Sequence, residues 1–158
     1  MIVITLPYPI SANRYWTQFT IRGRQMQAPS KEAKVFKREV AERALEQGLR
    51  KPIAGRVALT LRLYPQRPQD AARRIARNPM NWDDDVRCLD LDNSQKVAID
   101  ALKGIVFEDD KWVWRILAER MEPDGEARLV VAVEPIMRVS PQAALPIDVP
   151  RETEDFFA

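Results

Sequence analysis

Asp90-Leu-Asp-Asn-Ser-Gln-Lys-Val-Ala-Ile-Asp-Ala-Leu-Lys-Gly-Ile-Val-Phe-Glu-Asp-Asp110 is the stretch on which the reading of this chain turns. Leu89 and Leu91 flank Asp90, so an extended segment would turn both leucines to one side and Asp90 and Asp92 to the other. Asp92 or Asn93 can cap a helix whose apolar residues Val97, Ala98, Ala101, Leu102 and Ile105 recur at helical spacing, with Gly104 placed to stop it. Glu108, Asp109 and Asp110 follow. A strand end with two acids, a helix with a lysine in its first turn and an acidic turn returning after it can converge on one point. Such a point suits a hard divalent cation, and magnesium is commonly shared between one or two carboxylates, several waters and a substrate phosphate. Taken singly, each acid has a plainer use as a helix cap or dipole partner, so the grouping carries the metal reading.

Outward from this stretch, Arg56 to Tyr64 reads as a strand, with Val57, Leu59, Leu61 and Leu63 alternating with Ala58, Thr60, Arg62 and Tyr64. Ile2 to Leu6 is a second strand, ended by Pro7, and Pro7 to Trp16 is a rigid loop ending in polar and aromatic groups. Thr17 to Ile21 and Gln25 to Ala28 flank Arg22-Gly-Arg24 as a hairpin. Ser30 opens a helix with the apolar stripe Ala33, Phe36, Val40, Ala44 and Leu45, closed by Gly48 and Pro52. Its bases, Lys31, Lys34, Lys37 and Arg38, precede its acids, against the macrodipole, which suits either phosphate contact at the basic end or a solvated face. Pro65 to Arg87 has no sustained period, apart from a short helical piece at Asp70 to Arg77. Its Arg73, Arg74 and Arg77 are candidates for DNA-backbone contact. Trp112 to Glu119 and Leu129 to Val133 read as strands joined through Pro123-Asp-Gly125 into a hairpin.

These elements predict one small mixed α/β (α+β) domain, a mixed sheet packed with helices, over residues 1–137. Residues 138–158, rich in proline and polar residues and ending in Glu152-Thr-Glu-Asp-Phe-Phe-Ala158, are expected to form a flexible tail that could dock a protein partner.

Composition narrows the chemistry. The 158 residues are 46% hydrophobic and 30% charged, with a formal net charge of +2, so a nucleic-acid partner requires local basic patches. No apolar run approaches the roughly eighteen residues of a membrane span, and the N-terminus lacks the pattern of a secretory signal, so no membrane partner and a cytoplasmic location are expected. A lone cysteine, Cys88, forms no internal disulfide and reads as a structural thiol. With no histidine, Cys-His and Ser-His-Asp catalysis and imidazole zinc sites are excluded. A calcium loop fails at Gln95, where glycine is needed, and at Ala101, where glutamate is needed. No glycine-rich phosphate loop is present. The remaining reading is metal-assisted attack on a phosphodiester, with carboxylates holding Mg²⁺ and Lys96 steadying the phosphate or the water.

The run Asp90-Leu-Asp-Asn-Ser-Gln-Lys96, followed by Asp100-Ala-Leu102, Gly104, Val106 and Asp109-Asp110, resembles the signature of the RusA family of Holliday junction resolvases, common in prophages. Leu6-Pro-Tyr-Pro-Ile-Ser-Ala-Asn-Arg-Tyr-Trp16 is similar to that family's opening segment, and together they cover roughly residues 1 to 135. The resemblance implies a homodimeric endodeoxyribonuclease that makes paired symmetric nicks in four-way junction DNA with Mg²⁺, for which Mn²⁺ can substitute. It implies metal ligands at Asp90, Asp92 and Asp110 and an essential lysine at Lys96. DNA contacts are expected at Arg14, Arg73, Arg74, Arg77, Arg87 and Lys96. The alternatives are a less selective structure-specific nuclease and a non-catalytic DNA-binding accessory protein.

Overall fold

The computed structural model describes residues 1–138. The expected tail, with its partner-docking end, lies almost wholly outside the described residues. The chain runs β1 (Ile2–Pro7), α1 (Ala12–Tyr15), β2 (Trp16–Ile21), β3 (Arg24–Pro29), α2 (Lys31–Glu46), β4 (Val57–Tyr64), α3 (Ala71–Arg77), α4 (Leu91–Leu102), a 3₁₀ turn (Asp110–Trp112), β5 (Val113–Arg120) and β6 (Arg128–Pro135). This is the mixed α+β domain expected. Among these elements no helix is long and apolar enough to cross a membrane.

The sheet has the order β1-β6-β4-β5, and β2 and β3 form a separate two-stranded ribbon. β4 pairs antiparallel with β6 and parallel with β5. The expected hairpin of the last two strands is therefore corrected, since β4 lies between them. The seven residues from Met121 to Ala127 cross over β4 instead of making a tight turn, and both edges of β4 are filled. The strand also starts one residue later than Trp112, which belongs to the 3₁₀ turn.

Alternation decides which face of the sheet is covered. Leu59, Leu61 and Leu63 of β4 line up with Leu129, Val131 and Val133 of β6, and Ile4 and Leu6 of β1 extend the same buried face. Phe36, Val40 and Ala44 of α2 and Val97, Ala98, Ala101 and Leu102 of α4 pack in this one core. Leu45, expected in the α2 stripe, is 59% exposed, because the stripe's 3.6-residue period carries it past the edge of the contact. Ser30 caps α2 by accepting the Ala33 N–H. At the other end Gly48, at φ 82°, lets the Gly48 and Leu49 N–H groups bond back to the Leu45 and Ala44 carbonyls.

The irregular stretch after β4 is anchored. Arg67 donates to the Pro123 carbonyl at 3.0 Å and Trp82 donates to Glu122 at 2.8 Å. Arg120 donates to the carbonyls of Asp83 and Val86. Ala71, Trp82 and Val86 form a second small apolar cluster with Ile75 against it.

Candidate active site and DNA-facing surface

The approach to the acids is fixed by Tyr8. Its hydroxyl accepts the Leu89 N–H at 2.8 Å and lies 3.7 Å from the Cys88 Sγ, and burial pushes its pKa up to about 12. Cys88 and Leu89 pack partly into the core, as a structural thiol requires. The expected strand at this point is corrected: residues 87–90 are not in a strand, and α4 begins at Leu91. Asp90 holds extended backbone angles and is the N-cap, in place of Asp92 or Asn93. Its carbonyl accepts both the Ser94 N–H and the Ser94 hydroxyl at 3.0 Å. Leu89 and Leu91 do turn inward as the alternation demanded. The two acids, however, flank the helix start instead of lying side by side on a strand face.

Asp90 and Asp92 are exposed, and neither has an ion-pair partner among the described residues. Lys96 lies in the second turn of α4, not the first. Asp92, Lys96 and Asp100 succeed one another at four-residue spacing and so share one stripe of the helix. Asp100 is fully engaged: the buried Tyr15 donates its hydroxyl to the carboxylate, and the Lys37 ammonium lies 3.0 Å away. Burial, with the Asp100 carboxylate beside it, raises the Tyr15 pKa well above the usual tyrosine range. Lys96 is thereby left without an ionic partner among the described residues, on the same stripe as the unpaired Asp92.

Asp110, unlike this pair, has a lysine beside it. Lys103 Nζ is 3.9 Å from Asp109 and 3.8 Å from Asp110, just beyond the C-terminal end of α4. Asp109 caps the 3₁₀ turn by accepting the Lys111 N–H, and hydrogen bonding to Asp110 and Lys111 holds its pKa low. The 12 residues of α4, at roughly 1.5 Å each, separate its ends by about 18 Å. No group of three acidic, histidine or cysteine side chains among the described residues is close enough to hold one ion. The donor chemistry fits a hard cation at Asp90 and Asp92, whose carboxylates have no ion-pair partner among the described residues, while Asp110 shares Lys103 with Asp109.

The arginines among the expected DNA contacts divide between two concavities, and Lys96 lines neither. One, of about 790 Å³, is lined by Arg73, Arg74 and Arg77 together with Asp70, Asp84 and Asp85. Arg74 bonds Asp70 at 2.9 Å and Asp85 at 2.8 Å, which lowers the Asp70 pKa, and Arg73 reaches Asp70 at 3.4 Å. That loop is largely self-neutralised, leaving Arg77 without an ion-pair partner among the described residues. The other, of about 860 Å³, lies alongside Tyr8, Cys88 and Leu89 and gathers Arg14, Arg74 and Arg87. Arg14 also bridges to Glu32 at 2.7 Å across an exposed surface. The shared Arg74 joins the two concavities, a connection that composition alone did not reveal.

The described residues thus present exposed acids at a helix start, a lysine one turn on and two arginine-lined concavities. The family model described as endodeoxyribonuclease RusA matches residues 7–134 of the 158. The chain belongs to the RusA family, DNA endonucleases that resolve Holliday junctions. That membership sets it among nucleases and not among non-catalytic accessory proteins. No curated protein matches the chain.

Proposed function

We propose that this protein is a Mg²⁺-dependent, structure-specific endodeoxyribonuclease that resolves four-way junctions by paired symmetric nicks in DNA recombination and repair, with Asp90 and Asp92 holding the metal and Lys96 contacting the scissile phosphate. The observation that carries this reading is the exposed stripe of α4 on which Asp92 and Lys96 stand one turn apart, both without ionic partners among the described residues. Mg²⁺ bound at Asp90 and Asp92 would lower the pKa of a coordinated water and offset charge developing on the phosphate, and Mn²⁺ could serve in its place. A site with few protein ligands is usual for magnesium, which keeps its waters and takes phosphate oxygens. Lys96 supplies a donor to a nonbridging phosphate oxygen. Tyr8 and Tyr15 act earlier, Tyr8 fixing the backbone before Asp90 and Tyr15 occupying the acid that would otherwise draw Lys96 away. Arg87, Arg14 and Arg77 are proposed to contact the backbone, with Arg74 and Arg73 contributing as far as their aspartates release them. Asp110 enters the proposal as an acid required for cleavage, separable by its own variant.

Two symmetric cuts in one junction require two sites at a fixed separation, which a two-fold homodimer provides. The test is an incubation of purified protein with four-way junction, fork, duplex and single-stranded DNA, with and without Mg²⁺. Ligatable, symmetric nicks confined to the junction are expected. Equal cutting of all four substrates would replace the junction reading with a less selective nuclease. Binding without cutting by wild-type protein would remove the catalytic assignment.

A further inference from the structure

Lys96 has neighbours of a different chemistry from the arginine grooves. A concavity of about 380 Å³ is lined by Ala12, Asn13, Trp16, Gln18, Gln27 and Lys96. It holds three carboxamides, one indole and a single cation. The β2–β3 ribbon sorts its side chains to produce this. Trp16 lies opposite Pro29, Gln18 opposite Gln27 and Thr20 opposite Gln25, all on one face, while Phe19 opposite Met26 and the neighbouring Ile21 occupy the other. The tight turn pins that register: Arg22 and Gly23 have φ 48° and 76°, the positive pair of a two-residue hairpin turn. A slip of one residue would put the amides on the wrong side.

The ribbon is also held to the catalytic helix. Trp16 meets Tyr15 edge-on, with ring centroids 4.8 Å apart, and Tyr15 donates to Asp100, one turn beyond Lys96. The amide face thus has a set position beside Lys96.

We infer that this concavity receives a DNA base next to the scissile phosphate, with Trp16 stacking on it and Gln18, Gln27 and Asn13 reading its edge. The inference rests on the assignment of Lys96 to that phosphate. A phosphate accepts hydrogen bonds only, and the one cation here, Lys96, is already given to the scissile phosphate, whereas the concavity with Arg14, Arg74 and Arg87 carries three cations. Carboxamides offer a donor and an acceptor together, the pattern of a base edge. An indole adds stacking that any base can use, and unpaired bases at a branch point are free to take it.

Two readouts test it. In the first, 2-aminopurine is placed at successive positions around the branch point of a junction, and binding is measured in EDTA, so cleavage plays no part. A fluorescence change confined to one or two positions in wild-type protein, and lost in both Gln18→Ala/Gln27→Ala and Trp16→Leu, is expected. No position-specific change, or one that persists in both variants, overturns the proposal. In the second, single-turnover rates with Mg²⁺ are compared on four junctions differing only in the base pair beside the nick. Wild type should spread these rates by about tenfold or more, and the double glutamine variant should compress the spread to about threefold. The same ranking and spread in wild type and variant sinks the base-reading role. Failure of wild type to cut any junction sinks the nuclease reading instead, and the metal-free fluorescence still decides the pocket. A variant that fails to fold by circular dichroism is replaced by Gln18→Glu/Gln27→Glu, of nearly equal shape, which should likewise abolish the wild-type base ranking. Retention of that ranking by the glutamate pair overturns the inference.

Discussion

Removing one hydroxyl, in Tyr15→Phe, should destabilise the domain by about 1.5 kcal/mol. Tyr15 is fully buried, and its hydroxyl donates to the Asp100 carboxylate, which also receives the Lys37 ammonium at 3.0 Å. Hydrogen bonds to charged groups contribute roughly 1.5–3 kcal/mol. The lower end applies because the Asp100 side chain is 25% exposed, so water replaces part of what is lost, and because Lys37 still neutralises the acid. In a domain of this size each kcal/mol moves the Tm by roughly 2–4 °C, so a fall of about 3–6 °C is expected. The decisive assay is urea unfolding of Tyr15→Phe, Asp100→Ala and the double variant. A coupling energy of about 1 kcal/mol is expected, and a value within about 0.3 kcal/mol of zero would show that the two side chains do not interact. The variant should also loosen the ribbon against α4 and slow cleavage with little change in junction affinity. Unchanged cleavage in a destabilised variant would separate the Tyr15 bond from the site.

Other outcomes follow from the same geometry. Asp90→Asn, Asp92→Asn and Asp110→Asn should each abolish Mg²⁺-dependent junction cleavage and leave gel-shift affinity largely intact, and undiminished cutting by any one removes that residue from the proposal. Lys96→Ala should slow single-turnover cleavage on the order of a hundredfold without loss of stability, since Asp100 is already paired; normal turnover would make Lys96 a surface residue only. Joint alanine substitution of Arg73, Arg74 and Arg77 should weaken junction binding. Because Arg74 and Arg73 are tied to aspartates, Arg77→Ala and Arg87→Ala should each flatten the salt slope by about 0.9, more than Arg74→Ala does; equal slopes in all variants would take these arginines off the DNA. Tyr8 provides a pH test. Its folded pKa is raised to about 12, so the protonated phenol is favoured in the fold. That contribution is complete below the unfolded value near 10 and is lost as pH rises towards 12. Unfolding free energy should therefore fall over this window more steeply in wild type than in Tyr8→Phe, and parallel curves would refute the assignment.

How much of this was legible beforehand depends on what each segment's neighbours supply. β4 and α2 announced themselves, because alternation and helical period are written in single residues such as Leu59, Leu61, Phe36 and Val40. The ribbon was legible through Arg22-Gly23. Pairing partners were not: nothing in Trp114 or Val131 states that β4 comes between their strands. At Asp90, the alternation of Leu89 and Leu91 imitated a strand, because an extended N-cap followed by an inward-facing first helical residue produces the same two contacts. The grouping and the family resemblance marked the acids and Lys96 as candidates. Where each stands was not legible, because it depends on α4 beginning at Leu91 and ending at Leu102. The amide face of the ribbon lacked any charge or motif, and only strand register could reveal it.

The parallel pairing of β4 with β5 has a consequence for how the molecule is made. Everything from Pro65 to Trp112, including α3, Arg73, Arg74, Arg77, Arg87, Asp90, Asp92, Lys96 and Asp110, is threaded between two strands that are adjacent in the sheet. These strands cannot zip until that long excursion has collapsed, since the entropy of closing it must be met first. β6 lies beyond β5 in the chain, so its antiparallel ladders with β4 and β1 enclose the same excursion and wait for it as well. Completing the sheet and gathering the segment that carries Asp90, Asp92 and Lys96 are thus a single closure, and the step that sets the folding rate should also be the one that assembles the candidate site.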